Sequence, residues 1–500
     1  MDLVKILHGA TACVNDTTNT LSTKIIFGNN RNPQSVFNWR DLSKPVGDSQ
    51  YDEYRRKFGP DYKFRVFNDE GIPLYQNYNP GMKLPNGYSI LPFFPGYKFE
   101  YGKSTYLDEE IGEGGRVYSE PGMHGNVWDG DVNSMHPHSA IFEVIFGPEY
   151  TKRFEEIVEA RVAIKHKDFD RAATLLAGAL APYLNEEQAD DLAQALKIVI
   201  NSIYGLTSAS FENPFRDPNN IDNIVAKRGA LFMTLLKREV QKKGYTVAHI
   251  KTDSIKIPDA DQYIIDFVCK FGKEFGYVFD TEAEFEKFCL VNDAVYVAKD
   301  KNSKEWTATG KQFRVPYVFK KLFSKEPIKF DDMCETFAVS KGDLYLDMNE
   351  NLPDVSEYEK ELSKLEDQYK KGELSDVMFE QSCNGLPGKI AEGHNYIFVG
   401  RVGQFTPILP DHNGGILYRF NDGKYYAAAG SKGYRWLESE TVKLLNKENS
   451  IDTSYYDNLV NDAVDAISKF GDFEWFVSDD PYIKDFIRVP PDAPEELPFI

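Results

Sequence analysis

The sequence predicts an α/β chain of several parts, and three observations carry that prediction. Its 500 residues are 42% hydrophobic and 14% aromatic, which supplies a large interior and exceeds one compact core. The stretch from Asn185 to Gly205 repeats apolar residues at helical spacing. The stretch from Tyr245 to Pro258 sets two β-prone runs around a short polar turn.

Taken in order, residues 1 to about 60 mix polar and aromatic residues without clear periodicity. Residues 60–120 carry turn signals at Asn79-Pro80-Gly81, Pro85-Asn86-Gly87 and Pro95-Gly96, so irregular structure with short strands is expected. A strand should end in Val127–Val132. A helical stretch is expected from about Pro148 to Leu176. The next helix starts near Asn185, with Gln188 three residues on in capping-box spacing and Glu186 and Glu187 at its positive end. Leu192, Leu196, Val199, Ile200 and Ile203 fall on one side of it, and Lys197, Asn201 and Tyr204 on the other. One face is therefore core, and the other presents a cation, an amide and an aromatic ring.

A third helix is expected over about Asp222–Lys243, then a tight hairpin with Lys251-Thr252-Asp253-Ser254 at its tip. Residues 259–290 read as an amphipathic helix and loop, 355–374 as an acidic helix, and 437–446 as a helix after a Gly- and Tyr-rich run. No apolar run of about 18 residues is present. The five cysteines are scattered without a C-x-x-C pair, the pattern of reduced thiols and not of a zinc site.

The net charge of −20 is unfavourable for a nucleic-acid partner as a sum, but the distribution is uneven. Residues 301–330 carry a balance of +6 and residues 331–380 a balance of −10. The basic run has two readings, a solvated face or part of a binding channel. Trp306, Lys311, Arg314, Tyr317, Lys320 and Lys321 interleave rings with cations there, as Lys432–Trp436 does later.

Four segments then occur in order: Gly114-Gly115-Arg116-Val117; Asp131-Val132-Asn133-Ser134-Met135-His136-Pro137; Lys197-x-x-x-Asn201-Ser202-x-Tyr204-Gly205; and Lys251-Thr252-Asp253-Ser254. Together they resemble the motifs of family B DNA polymerases over roughly residues 110–300. The third is a full match to K-x-x-x-N-S-x-Y-G, and the fourth matches D-T-D-S at three of four positions.

The resemblance implies a right-hand fold. Its palm would be an antiparallel sheet from residues 110–147 and 206–315, its fingers residues 148–205, and its thumb and a C-terminal extension residues 316–500. Residues 1–60 would be the tail of an exonuclease domain and 61–109 an irregular connection. It implies template-directed addition of dNTPs to a DNA primer, with two Mg²⁺ ions held by Asp131, Asp253 and the Val132 carbonyl. Ser134, Met135, His136, Arg161, Lys165, Lys197, Asn201 and Tyr204 would contact the nucleotide. Gly114, Gly115, Gly205, Thr252, Ser254, Tyr296 and Lys299 would contact DNA.

The chemistry is independently coherent. Hard divalent cations take carboxylate oxygens, and two such ions can neutralise the attacking and leaving oxygens of a phosphoryl transfer. Asp131 at a strand end and Asp253 at a hairpin tip can meet at one sheet edge. Two departures from the family pattern stand out. His136 replaces the Tyr that lies under the sugar, which puts ribose exclusion in question. Lys251 replaces the first Asp of D-T-D, and either a phosphate contact or a solvated cation is open for it.

The resemblance also sets expectations about partners. D-x-E occurs only at Asp108, Asp280 and Asp472, none of them the early position a 3′–5′ exonuclease needs, so a separate exonuclease polypeptide is expected. The 66 positions from Asp131 to Lys197 and 52 from Asn201 to Asp253 leave little room for the insertions of protein-primed members, so a nucleic-acid primer is expected. By analogy the chain looks phage-encoded and would act in a bacterial cytoplasm, away from membranes. Two alternatives remain: a different palm-type enzyme such as a reverse transcriptase or primase-polymerase, and a non-catalytic DNA-binding subunit that keeps the fold.

Overall fold

The computed structural model describes residues 12–45, 64–68, 73–78, 82, 84–85, 88–112 and 114–482, together with residues 7 and 55. It is a mixed α/β structure with antiparallel sheets, and the chain divides into two compact units. The first comprises Met1–Asp293, Ala298–Lys304 and Pro481–Ile487; the second comprises Ala294–Val297, Glu305–Asp480 and Arg488–Ile500.

The first unit opens with helix α1 (Thr18–Phe27), capped by the Thr17 hydroxyl, which accepts from the Thr20 N–H at 3.3 Å. Ten residues are too few for a visible period, so the sequence read this stretch as aperiodic. Its Ile25, Ile26 and Phe27 nevertheless enter a core shared with α2 (Met135–Phe142), α3 (Gly147–Lys165) and α4 (Ala189–Thr207). Short strands follow α1: β1 (Phe64–Phe67), β2 (Pro73–Tyr78), β3 (Lys98–Glu100), β4 (Lys103–Tyr106) and β5 (Glu109–Ile111). The turn expected at 79–81, and Asn86 and Gly87 of the next one, lie outside the described residues.

The central sheet of this unit contains β6 (Val117–Ser119), β7 (Gly122–Val132), β8 (His249–Lys251), β9 (Ser254–Pro258) and β10 (Phe279–Asn292), in the order β10-β7-β9-β8-β6, all antiparallel. The latter part of residues 259–290, expected as amphipathic helix and loop, is thus a strand. Its apolar residues are bunched as Phe288-Cys289-Leu290 and preceded by alternating charges, which masks the period of two. Helices α5 (Ile224–Lys242) and α6 (Gln262–Glu274) share a core with the sheet residues Trp128, Ile250, Ile255 and Ile257. Gly130 is required where it stands, because a Cβ there would meet the Trp128 ring at 2.2 Å.

A buried ion network ties α2 to α5. Glu143, 1% exposed, accepts from Arg40 Nη2 at 3.0 Å and Arg228 Nε at 2.6 Å. Arg228 also donates to the Phe275 carbonyl at 2.8 Å and lies over the Phe142 and Tyr277 rings. Burial raises the Glu143 pKa, but the two guanidinium groups outweigh it and hold the carboxyl below its ordinary range.

The second unit contains a three-stranded sheet and a four-stranded sheet of order Tyr396–Gly400, Asp343–Asp347, Ile416–Asn421, Lys424–Ala427. The acidic helix spans Ser356–Lys370 and buries no residue, as a solvated face requires. The 437–446 helix is shorter than expected: Arg435–Glu438 is a strand and only Ser439–Leu444 is helical. Several rings offered for stacking are core instead. Trp436 is fully buried with its indole N–H donating to the Ser431 carbonyl at 2.9 Å, and Tyr317 stacks on Tyr456 at 4.9 Å. Alternation of rings and cations does not distinguish a binding channel from a buried strand beside charged neighbours.

Candidate active site

The four motifs come together in the first unit. Strand β7 is paired with β9 so that Asp131 faces Ser254, and the Val132 N–H donates to the Asp253 carbonyl at 2.9 Å. The second and fourth motifs are therefore joined through backbone. The first joins them as well: β6 pairs Val117 with Lys251, and the Thr252 N–H donates to the Arg116 carbonyl at 2.8 Å. Gly115 has φ +129°, and a Cβ there would meet Thr252 Cγ2 at 3.0 Å, so only glycine lets this segment lie against the turn. The third motif arrives through a ring stack. His136, in the first turn of α2, lies on Tyr204 of α4 with centroids 4.1 Å apart and planes 4° apart.

The hairpin tip is strained. Thr252 has φ +57° at the first central position of a two-residue turn, a place that suits glycine and strongly disfavours a β-branched residue. The Asp253 N–H closes on the Lys251 carbonyl at 2.8 Å, which fixes the direction in which Asp253 leaves the strand. Thr252→Gly should keep or raise stability, by up to about 1 kcal/mol, because strain relief offsets the added chain entropy. It should lower the activity proposed below several-fold by loosening Asp253. Thermal unfolding beside a turnover assay checks both; a loss of more than about 1 kcal/mol would show that the turn is unstrained.

Four carboxylates interact at this edge. Asp131 is pushed up to about 7, first by burial and then by the charges of Asp253, Glu282 and Asp129, with Lys256 opposing. Asp253 is also raised, by burial first and by Asp129 and Glu282. Asp129 is buried and paired with Lys256 at 2.7 Å. Glu282 sits at an irregularity in β10 where its register with β7 shifts between Thr281 and Ala283. In the sequence Glu282 stands out only as the end of the Asp280-Thr281-Glu282 triplet. Asp129 and Lys256 carried no signal, since alternate positions on a strand reveal a shared site only after pairing is known.

No group of three or more His, Cys, Asp or Glu side chains is arranged to hold a metal among the described residues. The donors that do converge are two mutually repelling carboxylates, and a like-charge pair of this kind is relieved by a cation. Their oxygen chemistry fits a hard divalent ion. Val132 has no side-chain donor atom, so a backbone carbonyl is all it could add to the two carboxylates.

The other predicted residues fall as follows. Lys197 and Asn201 are exposed on α4, opposite the buried Leu196, Val199, Ile200 and Ile203. The Asn185 side chain accepts from the Gln188 N–H at 2.9 Å, although the helix proper begins at Ala189. Arg161 is half-buried and Lys165 exposed near the end of α3. Ser134 precedes α2 at φ +51° without a capping bond from its side chain. Met135 departs from expectation: its side chain is 2% exposed and packed on Gly229, so a nucleotide can meet its backbone only.

Gly114 and Gly205 have no atom within 4 Å of where a Cβ would stand, leaving both faces open to approach. Ser254 is half-buried. Tyr296 and Lys299 lie on strand Val295–Asp300; Lys299 is 6% exposed, so its ammonium is not presented on an open surface.

Burial lowers the His136 pKa, so the ring is neutral near pH 7. It hydrogen-bonds the Val225 backbone, while its Nδ1 is buried without a partner. A neutral imidazole of this kind keeps one acceptor to offer.

No family model matches the chain, and no curated protein matches it. Among solved structures it is similar to the family B DNA polymerase from the hyperthermophilic archaeon Pyrobaculum calidifontis, at 13% identity and a TM-score of 0.37, over 70% of this chain and 46% of that one. The chain thus spans under half the length of that polymerase. No helix among the described residues is long and apolar enough to cross a membrane.

Proposed function

We propose that the chain is a template-dependent DNA polymerase of the right-hand type, with the central sheet as palm and α3 and α4 as fingers. The observation that supports this best is the convergence of four sequence motifs, 138 positions apart at their extremes (Gly115 to Asp253), on one sheet edge and one ring stack. Motifs that matched by chance would have no reason to touch.

Asp131, Asp253 and the Val132 carbonyl would hold two Mg²⁺ ions, which when bound neutralise the attacking oxygen, the leaving oxygen and the phosphoryl group between them. Lys197 and Asn201 bind the triphosphate from the exposed face of α4, and Arg161 and Lys165 add positive charge from α3. The His136–Tyr204 stack forms the floor under sugar and base. Gly114, Gly115 and Gly205 let the backbones of template and protein approach. The substrates are a DNA primer–template and dNTPs. In this reading, residues 316–500 are thumb and C-terminal extension, and proofreading belongs to a separate exonuclease polypeptide.

Incubation with a labelled primer–template, dNTPs and Mg²⁺ should give primer extension that stops at the template end. Extension that ignores template sequence, or none at any primer length, would remove the proposal. A sharper expectation concerns the sugar. The imidazole of His136 is smaller than the phenol that stands there in the family pattern, which leaves a ribose 2′-hydroxyl space. His136→Tyr should lower ribonucleotide incorporation at least tenfold relative to dNTPs. Equal discrimination before and after the change would place the sugar elsewhere.

A further inference from the structure

The chemistry above leaves one departure from the family pattern without a role. Lys251 stands where the fourth motif has its first Asp, and the register of the central sheet decides where that cation lies. Lys251 of β8 stands opposite Ser254 of β9, and Ser254 stands opposite Asp131 of β7. On its other side Lys251 stands opposite Val117 of β6. Directly opposed residues of an antiparallel sheet share a face. Asp131, Ser254, Lys251 and Val117 therefore form one row across four strands. The adjacent Ile250 and Ile255 point the other way, fully buried in the core shared with α5 and α6. The row thus lies on the face turned away from those helices.

A second row on the same face, Asp129, Lys256 and His249, is closed. All three are buried, and Lys256 is paired with Asp129 at 2.7 Å. Burial first, then the charge of Lys256 and to a lesser degree that of Lys251, push His249 down to about 4 against a bond to the Asp293 backbone. That ring is therefore neutral at pH 7.

Lys251 differs from Lys256 in both respects. It is exposed, and among the described residues no side chain pairs with it. Val117 beside it is exposed, and Gly114 has open space where a Cβ would stand. Arg116, between those two, is already held by Glu109.

A free ammonium in the row of Asp131 suits an anion on the substrate. Neighbouring strands are about 4.8 Å apart, so two spacings put Lys251 roughly 10 Å from Asp131. At about 3.4 Å of rise per nucleotide, a duplex whose end reacts at Asp131 and Asp253 brings a phosphate to Lys251 about three nucleotides away. The Asp of the family pattern would repel that phosphate. Asp253 and Asp131 also oppose an anion, and the Mg²⁺ ions proposed for them offset that charge.

We propose that Lys251 binds one backbone phosphate of the primer–template, within about four nucleotides of the reacting end. The inference rests on the polymerase reading and deepens it, by assigning a substrate contact to a position where the family pattern carries the opposite charge.

The test is binding of the full chain to a primer–template with Mg²⁺ and without dNTPs, followed by anisotropy over a series of salt concentrations. Lys251→Gln should lower the slope of log affinity against log salt by about one, and Lys251→Arg should keep the parental slope. Lys251→Asp should weaken binding further than Lys251→Gln. Lys251 is exposed, so thermal unfolding of all three should match the unmodified chain.

Uncharged methylphosphonate linkages are then placed one at a time along primer and template. In the unmodified chain one linkage within about four nucleotides of the reacting end should weaken binding roughly tenfold, and the same linkage should add no cost in Lys251→Gln. The strand that carries it is the one Lys251 holds.

A salt slope unchanged in Lys251→Gln, or a penalty that no linkage loses in that variant, overturns the assignment and makes Lys251 a solvated cation that only balances the aspartates. Primer extension by the same preparations separates the two readings. Extension by the unmodified chain without the linkage-specific coupling sinks the phosphate contact and leaves the polymerase standing; no duplex binding and no extension sinks both.

Discussion

Asp253→Asn should reduce primer extension by at least a thousandfold while making the metal-free protein more stable at pH 8. The first effect follows from removing one of two carboxylates that would hold the ions, a loss of transition-state stabilisation of about 4 kcal/mol or more. The second follows from the sign of the pKa shift. Asp131 is raised to about 7 by burial and by the charge of Asp253, so the folded state binds a proton more tightly than the unfolded chain.

The stability this contributes is present below the ordinary carboxylate pKa and is lost as pH rises through about 7. Above that pH the metal-free site is a strained pair of like charges. Neutralising Asp253 removes the largest charge acting on Asp131 and should recover about 1 kcal/mol, a figure discounted because the site is partly open to water. Mg²⁺ should raise the melting temperature of the unmodified chain at pH 8 and leave that of Asp253→Asn nearly unchanged. Melting curves at pH 5 and pH 8, with and without Mg²⁺, test this. A variant that is less stable than the parent at pH 8 without metal, or that still extends primers, would show that Asp253 is an ordinary turn residue.

The largest stability effect should come from Glu143→Gln, which leaves Arg40 and Arg228 buried without their counter-charge. The expected cost is about 3–5 kcal/mol, a fall in melting temperature of roughly 5–10 °C for a unit of this size. Arg228 is fully buried and surrounded by Phe142 and Tyr277, so water cannot take over the role of the carboxylate. Replacing all three charged groups together with apolar residues should recover much of the loss, because the desolvation cost then disappears with the charges. A single substitution that costs under 1 kcal/mol would mean that the interior there is wetter than its packing indicates.

The same contrast between local and distributed information separates what was legible in the sequence. The helix carrying Lys197, Asn201 and Tyr204 was visible because its apolar residues recur at 3.6-residue spacing and its start is marked by Asn185 and Gln188. The hairpin around Asp253 was visible because a polar tetrad interrupts two β-prone runs. Asp131, Asp253, Lys197 and Asn201 could each be singled out because they sit in short motifs of consecutive or helically spaced residues. All of that is information held within about 20 residues of chain.

What the sequence by itself determined, then, was the α/β class, the period and polarity of individual elements, and the identity of the motif residues. The tertiary structure alone decided who meets whom. Pairing of β7 with β9 and β6 with β8 brought the first, second and fourth motifs to one edge, and the stack of His136 on Tyr204 brought in the third. It alone placed Asp129, Lys256 and Glu282 beside the two aspartates, and took the Met135 side chain and Lys299 into the interior. The physical reason is that strand register and the packing of distant helices are long-range contacts. They are settled by burial summed over the whole core, and no local pattern encodes which residue will stand opposite which.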